Sequence, residues 1–250
     1  MYKFGCIPDK YDYRDAIYEP DKEDTTAMTK AKKPLPQFVD LEPGCSGIED
    51  QLQTNACQAC GVVGALEYNH PGELSIAFIY YNARAYIKMT EIDSGASLRD
   101  AIKAAKNKGA CPENEWPLMV NTVTVKPDKQ VYKDSKKNLK VKSFSRVKSL
   151  KDIKTSLSKG VPVVFSFRVF SGFISTKAVN TGVVDMPVTP ERFLGLHVAC
   201  AIGYDDIAGR VKCRNSWGKG WGDRGYFTMP QEYIDTPRLM GDMWRIIRSK

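Results

Sequence analysis

A chain of 250 residues that is 42% hydrophobic and 26% charged can bury a sizeable core, which excludes a disordered or fibrous protein. No apolar run approaches the roughly 18 to 20 residues of a membrane-crossing helix, and the opening MYKFGCIPDK lacks the apolar stretch of a secretory leader, so neither a membrane partner nor export by the usual route is expected. The net charge of +8 is uneven: Lys126 to Lys159 hold eleven Lys and one Arg against three Asp, a local +9 that leaves about −1 for the rest. No aromatic platform or binding motif accompanies these lysines, so they read as solvated surface and no nucleic-acid partner is expected.

Residues 1–34 are rich in charge, Tyr and Pro and carry no helical or strand period, which predicts an arm rather than a domain. KKPLPQFVDL (Lys32 to Leu41) then leads into extended chain. From Cys57 to Tyr68 small and apolar residues recur at helical spacing, and NHPG (Asn69 to Gly72) stops the pattern. ELSIAFIYYNARAYIKM (Glu73 to Met89) and SLRDAIKAAKNKG (Ser97 to Gly109) predict two more amphipathic helices, the second capped by Ser97 and ended by Gly109. Beyond Gly160 the texture becomes β-rich: VPVVFSF, HVACAIGYD, RVKCRNSW, GYFTM and MWRII. Helices followed by strands predict an α+β protein whose two parts pack as layers or lobes.

The chemistry turns on a short inventory. The seven cysteines are an odd number at irregular spacing, which suits a reduced compartment better than a disulfide framework. Cys57 and Cys60 form a Cys-x-x-Cys pair, but no second pair completes a zinc site, and the polar residues before Cys57 are not the strand of a thioredoxin-like unit. The glycines of GWGDRG precede a strand-like run rather than a helix, so they mark turns and not a dinucleotide site. Of the two histidines, His70 sits at the far end of the helix that starts near Cys57, about 17 to 20 Å away at 1.5 Å per residue. His197, in an apolar strand-like run, reaches the pair only through the fold. A cysteine at the first turn of a helix, a histidine from a distant strand and an orienting Asn beside a bulky Trp, as in RNSWG (Arg214 to Gly218), meet the requirements of a thiol nucleophile.

At this point the sequence resembles the papain-like (C1) cysteine peptidases. NSWGKGWGDRGYF (Asn215 to Phe227) closely matches that family's Asn-Ser-Trp-Gly block, and LPQFVDL its mature amino terminus. FGCIPDKYDYRD, YYNARAY, SGASLRDAIK and CPENEWP resemble a compact branch found in bacteria and large DNA viruses, so the likeness covers nearly the whole chain. It implies a two-lobe α+β fold, with a helical left lobe over about 45–120, an antiparallel barrel-like right lobe over about 160–250, and the cleft between them. The peptidase domain is then 35–250 and residues 1–34 a short propeptide.

The family register implies Cys57 as the nucleophile, because Gln51 and Glu67 stand six residues before it and ten after it, whereas Cys60 has Thr54 and His70 there. His197, Asn215 and the oxyanion donor Gln51 follow from the same likeness. Gly95 and Ala96 correspond to the edge that pairs with extended substrate, Leu196 and Val198 to the pocket for the second side chain before the scissile bond, with an apolar preference, and Trp217 to the shield over the His–Asn bond. No metal or cofactor is implied. The expected partner is a polypeptide substrate, the expected state a monomer, and the expected location the cytoplasm or a virion. Leu52 stands where the family usually has glycine and Gln58 where it usually has tryptophan. Three alternatives stay open at this stage: a transpeptidase or amidase using the same acyl-thioester, a binding protein with a blocked cleft, and a regulatory Cys57–Cys60 disulfide. The arm either crosses the cleft or packs behind it, with crossing favoured.

Overall fold

The computed structural model describes residues 2–20, 34–137 and 139–249. Its central helix, α1 (Cys57–Leu66), is buried at every position, which is why its residues other than Gln58 are small or apolar all round rather than divided between two faces. Gly61 sets how closely α1 approaches the strands behind it. A Cβ there would stand 2.6 Å from Val198 Cγ1 and 2.8 Å from Val164 Cγ1. Helices α2 (Ile76–Tyr86) and α3 (Leu98–Lys108) pack beside α1, and each begins at a serine, Ser75 or Ser97, whose side chain accepts a main-chain N–H of the first turn. The lysine-rich segment contains two further helices, α4 (Lys129–Ser135) and α5 (Leu150–Ser158).

Strands β1 (Cys6–Ile7) and β3 (Ala96–Ser97) form a small parallel pair. The main sheet has seven strands among the described residues: β2 (Phe38–Asp40), β4 (Val141–Arg146), β5 (Val163–Phe170), β6 (Phe193–Asp205), β7 (Arg210–Arg214), β8 (Tyr226–Pro230) and β9 (Met240–Arg248). They run in the order β4-β9-β5-β6-β7-β8, with β2 on β6, and every pairing is antiparallel. Short helices α6 (Thr176–Thr181) and α7 (Gln231–Asp235) connect strands. Helices come early and an antiparallel sheet late, as the sequence texture predicts, and α1 lies against β5 and β6 where the two parts meet.

The junction is held by a buried charge cluster. Arg214, at the end of β7, donates to both Glu49 oxygens at 2.7 and 2.6 Å, and its guanidinium lies 3.9 Å from Glu67. Burial, and the neighbouring Glu49, push the Glu67 carboxyl up to about 8. Removing the cation would leave the buried Glu49 carboxylate without its partner. Arg214→Met is therefore expected to lower the unfolding free energy by about 3–5 kcal/mol, read as a lower urea midpoint at unchanged slope.

The arm is tied to this framework at a second charge hub. Arg146 on β4 reaches Asp9 at 3.1 Å, Asp15 at 2.7 Å and Asp242 at 2.7 Å. Asp9 also accepts from the Arg99 N–H and from Trp244 Nε1, both at 2.9 Å, and Arg99 pairs with Asp15 at 2.7 Å. Tyr18 N–H donates to the Arg146 carbonyl at 2.7 Å. Residues 9–18 are thus fastened to α3, β4 and β9, while residues 2–7 run on toward the junction of the two parts.

Candidate active site

Cys57 opens α1, where unpaired main-chain N–H groups favour a negative charge. Its thiol is completely buried. Burial pushes the thiol up to about 11, against the opposing pull of the nearby main chain of Gly5, Val198 and Gln58. Val198 follows His197 in β6. The His197 ring is likewise fully buried, and Nε2 lies 2.8 Å from Asn215 Oδ1. Burial, opposed by the Asn215 hydrogen bond, pulls His197 down to about 4. Trp217 covers this pair, its ring centroid 4.7 Å from that of His197.

Gln51 joins the same construction. Its Oε1 accepts from Ser216 Oγ at 2.8 Å and Trp217 Nε1 at 3.2 Å, and its Nε2 donates to the Thr54 carbonyl at 2.8 Å. The following residue, Leu52, has φ of 54°. A side chain in that region costs roughly 1–2 kcal/mol. Asp50 Oδ1 accepts the Leu52 N–H at 2.8 Å and helps hold the turn. The loop before α1 therefore keeps a glycine-like bend without a glycine.

The remaining residues singled out by sequence fall as follows. Gly95 and Ala96 form an edge facing the arm: Ala96 N–H donates to the Gly5 carbonyl at 3.2 Å, and a Cβ on Gly95, at φ 78°, would sit 2.0 Å from that oxygen. Leu196 is half-buried in β6 opposite Arg168. Val198 turns its side chain onto Gly61 of α1, so it meets the cleft through its main chain. His70 stays at the far end of α1, where its Nδ1 engages Gly72. Cys60 is buried one turn along α1, and all seven cysteines are unpaired. Among the described residues, no group of three or more His, Cys, Asp or Glu side chains is placed to hold a metal ion, and no helix is long and apolar enough to cross a membrane.

The arm supplies the contacts that sequence reasoning did not assign. Tyr2 stacks on Trp217 with centroids 4.2 Å apart. Phe4 meets Trp217 and His197 edge-on at 5.9 and 6.0 Å. Gln51 Nε2 also donates to the Lys3 carbonyl at 3.2 Å. Gly5 fits because it has no side chain: a Cβ there would lie 2.2 Å from the Asn55 carbonyl oxygen. The alternation of aromatic residues with Gly5 in YKFGC was the available signal. Behind the edge, Asp93 accepts from Asn55 N–H at 3.0 Å and from Tyr80 at 2.6 Å, and Tyr80 accepts from Gly95 N–H at 2.9 Å.

Comparison with known proteins gives a consistent result. The family described as papain family cysteine protease matches residues 35–239. An uncharacterized peptidase C1-like protein of Acanthamoeba polyphaga mimivirus is 34% identical over 97% of this chain and 86% of its own length. The crystal structure of xylellain, a cysteine protease from Xylella fastidiosa, superposes with a TM-score of 0.86 at 34% identity, covering 97% of this chain and 95% of that one. Digestive procathepsin L 3 of Tenebrio molitor shares the fold, with a TM-score of 0.70 at 17% identity over 87% of this chain and 72% of that one.

Proposed function

The chain belongs to the papain family of cysteine proteases, and from that premise we propose that it is a cysteine endopeptidase held latent by its own amino-terminal arm. Cys57 attacks the peptide carbonyl as a thiolate. His197 protonates the leaving amine and then activates water, and Asn215 fixes the imidazole. Gln51 Nε2 and the Cys57 N–H stabilise the oxyanion. The observation that carries this reading is the 2.8 Å His197–Asn215 bond sealed beneath Trp217, with the Cys57 sulfur against the main chain of the next residue, Val198.

The latent state follows from what the arm does to the same groups. It covers Trp217, takes the oxyanion amide for the Lys3 carbonyl and pairs with the Gly95–Ala96 edge. Extended substrate uses that edge and side chains near Leu196 once the arm withdraws. Residues 1–34 then act as a short propeptide and 35–250 as the peptidase domain, on a polypeptide substrate. The burial of Cys57 also favours a second reading, a binding protein whose cleft stays closed.

Labelling with a peptidyl epoxide that alkylates active-site thiols, followed by peptide mapping, separates the two. The expected result is one label per chain on Cys57, slow in the full chain and fast without residues 1–34. Label on Cys60, or none on Cys57 in either form, overturns the peptidase mechanism.

A further inference from the structure

Gln58 follows Cys57 in α1 and is completely buried. Its amide can lie in two orientations. With oxygen toward Asn55, it accepts from the Cys57 thiol at 3.5 Å, but two carbonyl oxygens oppose each other and the amide nitrogen faces the Ala96 N–H. The reverse orientation lets Nε2 donate to the Asn55 carbonyl at 3.0 Å and Oε1 share the Ala96 N–H, at 3.0 Å, with the Gly5 carbonyl at 3.2 Å. Buried polar groups take the arrangement that satisfies them. The amide atom facing Asn55 is also 3.5 Å from Cys57 Sγ, so in this orientation the second Nε2 hydrogen is available to the sulfur.

We propose that Gln58 is a further catalytic residue, donating a hydrogen bond to the Cys57 sulfur that favours the thiolate while its carbonyl ties the start of α1 to the β3 edge. The inference rests on Cys57 being the nucleophile. Of the groups near the sulfur, Gly5 belongs to the arm and leaves with it, whereas Val198 in β6 and Gln58 in α1 remain. This is also the position where the sequence departs from the family's usual tryptophan. An indole offers one N–H and no acceptor, so it could not serve Asn55, Ala96 and the sulfur together. The departure adds a donor beside the reactive atom instead of merely filling space.

The test is the pH dependence of Cys57 alkylation by iodoacetamide, mapped by mass spectrometry. It uses the full-length chain carrying Tyr2→Ala and Phe4→Ala, so that the reagent reaches the cleft. Adding Gln58→Met, which has similar length and no donor, is expected to raise the alkylation midpoint by about one pH unit. Gln58→Glu retains the acceptor for Ala96 but places an oxygen against the sulfur; it is expected to raise the midpoint further, and it reports even where the methionine variant folds poorly. A purely structural role would change the yield of folded protein and leave the midpoint in place. A normally labelled Cys57 with an unmoved midpoint in both variants overturns the role of Gln58 alone. A parent chain in which another thiol takes the label overturns the Cys57 assignment, and this proposal with it.

Discussion

Replacing Cys57 with alanine is expected to lower kcat/KM on a fluorogenic peptide by about 10⁴-fold or more, measured in the arm-loosened Tyr2→Ala/Phe4→Ala chain. In the proposed mechanism Cys57 forms the covalent intermediate, so neither His197 nor the oxyanion donors can replace it. Cys60→Ala in the same background is expected to stay within about threefold of the parent, because its thiol is buried one turn along α1 and its loss costs packing rather than chemistry. Equal losses in both variants would mean that the chemistry belongs to neither thiol alone.

The second large effect is a gain. Trimming Tyr2 and Phe4 to alanine in the full-length chain is expected to raise the initial rate by about 30- to 1000-fold. Stacking of Tyr2 on Trp217 contributes about 0.5–1.5 kcal/mol, and partial burial of Phe4 against Trp217 and His197 about 1.5–2.5 kcal/mol. Together they bias the closed arm by about 2–4 kcal/mol, which converts to that range of rate. An unchanged rate would show that the arm does not limit access. With the arm in place, His197 pulled down to about 4 and Cys57 pushed up to about 11 mean that both are uncharged between those values. In the proposed mechanism opening moves a proton from sulfur to imidazole without changing the number bound, so the closed-to-open balance is expected to be flat across neutral pH as far as this pair is concerned.

Much of the fold could be read from local pattern. The predicted helices over Cys57 to Tyr68, Glu73 to Met89 and Ser97 to Gly109 correspond to α1, α2 and α3 with slightly frayed bounds, because spacing and caps are encoded within a turn or two. The β-rich runs after Gly160 likewise became β5 to β9. The lysine-rich segment was opaque because its solvent faces dominate its composition; Leu150, Ile153 and Leu157 line the buried side of α5 beneath them. The arm was opaque for a different reason. Its contacts join Asp9 to Asp242 and Lys3 to Asp93, and no period in the first 34 residues encodes partners so distant. In the site, Leu52 keeps a positive φ at the position where the resembled family usually has glycine.

The Arg146 hub has a consequence for how latency responds to dilution. Because Asp9 and Asp15 are clamped to β4 and β9, residues 2–7 act, in the proposed latent state, as a competitor leashed to its own target. A short leash keeps such a ligand at an effective concentration in the millimolar range whatever the amount of protein in the tube. Incoming polypeptide must outcompete that standing occupant, so severing the leash, rather than lowering the protein concentration, is what would make the opening permanent.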